Sequence, residues 1–256
     1  MKHAFPWNIF LILLACSLLS VIAVFPYVLT VQADVLRNIP VPLTTLFFMQ
    51  LVQCIVLFSI AIFFGLRLSR QIQFRIPLLE AITKRKPYRK IFADMTRISA
   101  PLGILVALFI YVTDIGFTYA GTGISTGTSI APIWQKLLAA LYGGITEEIL
   151  MRFFLMTLLI WIMTKVSRKT MPTDWSIYIS IILAAILFGL GHLPMTASIT
   201  TITPLVVMRA IVLNGIGGLV FGWLYWKKGL ESAMIAHFTT DVVLLSVLPL
   251  LLPYSV

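Results

Sequence analysis

A chain of 256 residues with 60% hydrophobic and only 11% charged side chains lies far from the roughly 25% charged content of globular proteins, which excludes a water-soluble domain. Seventeen Phe, six Trp and a mean hydropathy of +1.02 exclude disorder as well. The net charge of +10 is concentrated: nine of the 19 Lys and Arg fall between Arg67 and Arg97, beside apolar stretches and without a nucleic-acid motif. Residues 67–97 are therefore expected to meet anionic lipid, and no nucleic-acid partner is expected.

Apolar stretches of the roughly 20 residues that cross a bilayer run, in chain order, over residues 6–31, 41–66, 100–118, 133–164, 175–193, 205–226 and 230–252. Lys2 and the run ending in Cys16 look like a lipoprotein signal, but the run continues to Val31, too long for one, so an uncleaved helix is expected. The fourth stretch is over-long for a single crossing and must tilt or project. Between the second and third, apolar residues alternate with charged ones from Ile72 to Lys86, broken by Pro77 and Pro87, which fits an interfacial helix or a solvated loop equally. The expected fold is an all-α polytopic transmembrane bundle of seven or eight spans around a water-accessible polar cavity. Its parts are an N-terminal hairpin at 1–66, a basic cytoplasmic connector at 67–98 and a catalytic core at 99–256.

Seven crossings place Lys2, the 67–97 cluster, Lys165, Arg168, Lys169, Lys227 and Lys228 on one side, while residues 121–132 and 194–204 hold no Lys or Arg. The positive-inside rule makes the basic side cytoplasmic, with the N-terminus inside, and the compact size suits a prokaryotic plasma membrane. Cys16 and Cys54, each within an apolar run, form no disulfide or metal pattern. Gly215, Gly218 and Gly222 in the sixth span, and Gly143 and Gly144 before the acidic pair of the fourth, are expected to permit close helix contact.

Ionisable groups inside spans are costly and therefore mark candidate sites. Four of nine acids, Asp114, Glu147, Glu148 and Asp241, and two of three histidines, His192 and His237, lie well inside these spans, away from their first residues. At about 100° per residue Glu148 and Arg152 are ~40° apart and Glu147 and Arg152 ~140° apart, so Arg152 is expected to pair with Glu148 in the favourable acid-first order. Glu147 is left without a local cation, a setting suited to a general base. Phe188 with His192, and His237 with Asp241, each share a helix face. An imidazole one turn from a carboxylate is held in one orientation, and a protonated acid can itself donate to an oxyanion.

Glu-Glu-x-x-x-Arg at 147–152, Phe-x-x-x-His at 188–192 and His-x-x-x-Asp at 237–241, in this order on successive membrane helices, resemble the CPBP family (CAAX proteases and bacteriocin-processing enzymes, also called Abi), which includes the type II CAAX prenyl endopeptidase. The stretch from Lys228 to His237 is similar to the entry into the family's last motif, and the resemblance covers roughly residues 99–245. It implies an intramembrane endopeptidase acting on a membrane-associated or lipidated peptide or protein. By position, Glu147 with His192 would activate water, His237 with Asp241 would stabilise the oxyanion, and Glu148, Arg152 and Phe188 would support them. Asp241 stands where the prenyl endopeptidase carries Asn, and it donates a hydrogen bond only when protonated.

No cofactor is expected. A divalent metal on the same acids and histidines is the alternative, against which the absence of His-Glu-x-x-His speaks. Gly123-Ile124-Ser125-Thr126-Gly127 fits Gly-x-Ser-x-Gly without the strand-to-helix elbow that gives it chemistry. Asp114, Arg209 and Asn214 are expected to pair across helices rather than line the site. Rival functions are a proton-coupled transporter using the buried acids and histidines as a relay, and a non-catalytic immunity or scaffold protein. Counting at 1.5 Å per residue puts Glu147 and His192 ~27 Å from the markers Lys165 and Asp174, but His237 only ~13 Å from Lys228. The groups meet only if the fourth and fifth helices protrude or the last hairpin starts within a water-filled cavity, expected to open to the cytoplasm.

Overall fold

In hydrocarbon a backbone amide finds no water, so a chain of this composition must close its hydrogen bonds within helices. The computed structural model describes residues 4–122 and 131–252, and among them there is no β-strand. The Gly-x-Ser-x-Gly match at 123–127 lies outside the described residues.

Among the described residues ten helices carry the fold: α1 (Trp7–Val31), α2 (Ala33–Arg37), α3 (Leu43–Gln71), α4 (Pro77–Thr83), α5 (Arg89–Tyr119), α6 (Ile133–Val166), α7 (Asp174–Gly191), α8 (Leu193–Ala197), α9 (Pro204–Lys228) and α10 (Leu230–Leu251). Seven spans, with α7 and α8 counted together, are long and apolar enough to cross a membrane. The protein is an all-α polytopic membrane bundle.

Helix starts follow local chemistry. Thr173 and Thr203 cap α7 and α9 by accepting from the Ser176 and Val206 amides, and Pro204 occupies a first-turn position where no amide is needed. The third span differs from its sequence bracket, because its helix begins at Arg89 rather than at residue 100 and takes up part of the basic cluster.

Phe48, Phe109, Val112, Leu250 and Leu251 stand on the outside of the bundle, whereas Ser17, Ser20, Thr146, Thr157 and Ser180 are buried. Apolar outside and small hydroxyls inside is how helices pack when lipid is the solvent. Ser20 on α1 and Thr146 on α6 share a hydrogen bond, and Thr157 on α6 bonds the Tyr225 hydroxyl on α9 at 2.8 Å. Of the glycines expected to permit close contact, Gly218 faces Ala185 and Gly222 faces Ile181, but Gly215 has nothing within reach of an added methyl group.

The connector turns inward. Ile72, Phe74 and Ile76 are buried, Phe74 meets the Tyr225 ring edge-on at 5.1 Å, and Leu79 donates its amide to Glu231 Oε1 at 2.9 Å. Between the end of α3 at Gln71 and the start of α5 at Arg89, only Pro77–Thr83 is helical. The Arg75 carbonyl accepts from Leu230 N across the α9–α10 turn. That turn requires Gly229, which sits at φ +107° with Pro77 packed where a side chain would project.

This arrangement answers the depth mismatch. The Thr157–Tyr225 bond sets the end of α9 level with a residue about eight positions, or ~12 Å, short of Lys165 at the basic end of α6. The last hairpin thus begins inside the bundle, roofed by residues 72–79.

Candidate active site

The acidic pair sits where α6 widens. Gly143–Glu147 and Ile149–Met156 wind as π-helix, the wide turn in which amides reach back five residues and which is common at functional sites. The Thr157 hydroxyl follows the same step, donating to the Arg152 carbonyl. Nothing in the residue pattern announced these turns, although Gly143-Gly144 directly before the acids was a signal of a close approach.

Arg152 and Glu148 form the pair that their spacing predicts, 2.9 Å apart and almost wholly buried. The guanidinium lies over the Phe188 ring at 4.8 Å and the Phe221 ring at 5.3 Å. Neither of its terminal nitrogens is aligned for a hydrogen bond among the described residues, so charge and ring faces hold it. Glu148 Oε1 also accepts from His237 Nδ1 at 2.7 Å. A carboxylate can only accept, so Nδ1 carries the proton and Nε2 points to the other side of the ring.

On that other side stand two more acids. His237 Nε2 is 3.7 Å from Glu147 Oε2 and 3.6 Å from Asp241 Oδ2. Phe221 stacks on the same imidazole at 4.7 Å, fixing its plane. One imidazole therefore gathers acids from α6 and α10, and Glu147, which has no hydrogen bond among the described residues, finds its nearest charged partner in His237.

His192 occupies the break between α7 and α8, with Nδ1 2.8 Å from the Phe188 carbonyl of its own helix. The Phe188 ring meets both histidines edge-on, His192 at 4.8 Å and His237 at 5.9 Å. No ion pair joins His192 to Glu147 among the described residues. The two histidines instead share a cavity of about 220 Å³, lined also by Asp241, Thr240, Arg209 and Asn214.

Gly143 is the residue this geometry adds. A methyl group there would overlap the Asp241 carboxylate and come within 3.3 Å of His237 Nε2. Asp114 and Arg209 pair across α5 and α9, as expected, but Arg209 and Asn214 also line the cavity, which was not expected. The cavity also extends away from the basic loops: Thr196 in α8 and Arg209 near the start of α9 stand at the end of the bundle opposite Lys227 and Lys228. Among the described residues no three His, Cys, Asp or Glu side chains are grouped to hold a metal ion.

Residues 129–243 match the family model of the type II CAAX prenyl endopeptidase Rce1-like proteins. The match runs through all three motifs and agrees with the resemblance to the CPBP family that they carry. Over this stretch the chain is similar to a family of membrane endopeptidases, which supports peptidase activity in general terms. No curated protein and no solved structure gives a significant match.

Proposed function

We propose that the protein is an intramembrane endopeptidase that hydrolyses a peptide bond of a membrane-associated or lipidated substrate with Glu147 as general base. The observation that carries this reading is the position of His237 Nε2 between Glu147 and Asp241, 3.7 and 3.6 Å away. Those separations are too long for direct hydrogen bonds, and in this reading the reacting water meets the imidazole and the two acids.

Glu147 removes a proton from water, and the hydroxide adds to the scissile carbonyl carbon. The carbonyl oxygen becomes an oxyanion that His237, as imidazolium donating from Nε2, and protonated Asp241 stabilise. Collapse breaks the C–N bond as the proton held by Glu147 passes to the leaving amine. His192 orients the water or substrate from the other side of Phe188, and Glu148 with Arg152 holds the His237 ring. No metal takes part. The basic loops and the N-terminus face the cytoplasm, where residues 67–97 meet anionic lipid.

The test compares peptide termini, by mass spectrometry, in membranes of cells expressing wild-type protein or Glu147→Gln. New termini present only with the wild type are expected, and an unchanged set sinks the proposal.

Gly143→Ala is the second prediction. Ala favours a helix by about 1 kcal/mol over Gly, so the bundle should remain folded. Its methyl group displaces Asp241 and His237, however, and cleavage of a substrate found by that comparison should fall at least tenfold, since small misplacements at a reacting centre are costly. A variant with wild-type turnover would mean that these two groups need not stand where they do.

A further inference from the structure

Three cations meet at the recessed end of the bundle, far from the acids of the catalytic cavity. Arg75 of the connector and Lys227 and Lys228 at the end of α9 line a pocket of about 360 Å³, within the roughly 300–1,000 Å³ that small ligands occupy. None of the three forms an ion pair among the described residues, and Lys227 instead lies over the Trp226 ring at 3.3 Å. Asp94 on α5 is the one acid among the lining residues.

The backbone fixes where these groups stand. Ile72, Phe74 and Ile76 are buried, and Gln73 and Arg75 between them are exposed and line the pocket. The Phe74 amide donates to the Ser69 carbonyl, and the Arg75 carbonyl accepts from Leu230 N, so this short segment is tied to α3 on one side and to the α9–α10 turn on the other. Groups carried on a fixed backbone lose less freedom on binding than those on a free loop. Arg85 and Lys86, cations of the same connector, stand outside the lining.

An excess of positive charge in a preformed pocket draws an anion. A phosphate monoester carries about −1.5 to −2 at neutral pH and three acceptor oxygens, which matches a guanidinium fork and two ammonium groups set against one carboxylate, whereas a phosphodiester carries a single charge. The apolar wall favours a phosphate borne on lipid. Ile91 and Ile98 of α5 line the pocket, and Leu105 and Val112 continue their row at seven-residue spacing, 59% and 66% exposed. Positions seven apart on a helix drift by only about 20°, so the row runs nearly along the axis. From Ile91 to Leu105 it covers ~21 Å, more than half of a hydrocarbon core of roughly 30 Å. A soluble phosphate gains nothing from this row, and an acyl chain is covered by it.

We propose that this pocket binds the phosphate-monoester headgroup of a membrane lipid, with Arg75, Lys227 and Lys228 around the phosphate and an acyl chain along Ile98 and Leu105. The site is separate from the catalytic cavity. It differs from the general attraction of residues 67–97 to anionic lipid because it needs two lysines outside that segment. Its phosphate ties the connector to the turn from which the helix of His237 starts.

Full-length protein in an uncharged detergent is titrated with dioctanoyl phosphatidic acid, a monoester; with dioctanoyl phosphatidylglycerol, a diester; and with glycerol 3-phosphate, a monoester without chains. Bound molecules are counted by native mass spectrometry. One phosphatidic acid should bind the wild type roughly tenfold or more tighter than phosphatidylglycerol, and glycerol 3-phosphate should bind more weakly than either. Arg75→Gln/Lys228→Gln should weaken phosphatidic acid by roughly tenfold or more, while Arg85→Gln/Lys86→Gln, which removes the same charge outside the pocket, should stay within about twofold of wild type. All four side chains are exposed, so both variants should fold. Asp94→Asn removes the like charge and should tighten binding, a gain that an unfolded protein cannot give.

Equal binding of the two lipids overturns the proposal, because the monoester then plays no part. Glycerol 3-phosphate binding as tightly as phosphatidic acid overturns it too, since the ligand is then a soluble phosphate. An equal loss in the two double variants marks a diffuse basic surface and has the same consequence, as does an Asp94→Asn affinity at or below wild type. Peptide cleavage enters none of these readouts, so they stand or fall apart from the peptidase proposal.

Discussion

Glu147→Gln lowers cleavage by roughly 10³-fold, the middle of the range for loss of a positioned general base, and leaves the melting temperature in detergent within about 2 °C of wild type. Gln keeps the shape of Glu and loses only the ability to take a proton from water. The side chain is 23% exposed and has no hydrogen bond among the described residues, while the nearby His237 is held independently by Glu148 on one ring edge and Phe221 on one face. Little folding energy therefore depends on the Glu147 charge. The same purified wild type should keep its activity in a strong chelator. A Gln variant within tenfold of wild type would remove Glu147 from the role of base, and activity lost in chelator and restored by a divalent ion would replace the metal-free scheme. A proton-coupled transporter would instead show solute flux that the Gln variant loses.

Some of this site was written in the sequence and some was not. Arg152 pairs with Glu148 because an i,i+4 spacing brings two side chains together whether the helix is regular or slightly unwound. The span count was legible for a similar reason, since bilayer thickness sets the length of every apolar run. The inward fold of Ile72, Phe74 and Ile76 was not. Their alternation fits a membrane surface as well as a protein interior, and only the recessed α9–α10 turn, which the chain meets about 150 residues later, gives them somewhere to bury. The convergence on His237 was equally hidden. That imidazole lies between α6 and α10 because Gly143 has no side chain and Phe221 offers a flat face, and both are contacts between distant segments. Glu231 was overlooked for its place beside Lys228 at a helix end, yet it is 5% exposed and accepts the Leu79 amide. A carboxylate followed by apolar residues right after a Lys-Lys-Gly turn was the available signal.

Arg152→Met should cost about 3–5 kcal/mol of stability, the usual result of removing one partner from a buried ion pair. Arg152 is 2% exposed and Glu148 fully buried. Without the guanidinium, Glu148 keeps only the His237 Nδ1 contact, its second oxygen already lacks a hydrogen-bond partner, and the rings of Phe188 and Phe221 lose the cation that they flank. Glu148→Gln strands Arg152 in the same way and should cost a similar amount. The double variant Glu148→Gln/Arg152→Met removes both charges, and because an uncharged replacement of a buried pair is often neutral, it should recover most of the loss, giving a coupling energy of at least about 2 kcal/mol in a double-mutant cycle followed by unfolding in detergent. Its cleavage should nevertheless stay well below wild type. An amide oxygen can accept from His237 Nδ1, but it cannot balance the positive charge that this imidazole carries when Nε2 donates to the oxyanion. Recovered stability with lost turnover separates a pair that orients a reacting group from one that only holds two helices together. If the double variant regained both, the pair would be structural alone, and the link from Arg152 through Glu148 to His237 would have no part in the chemistry.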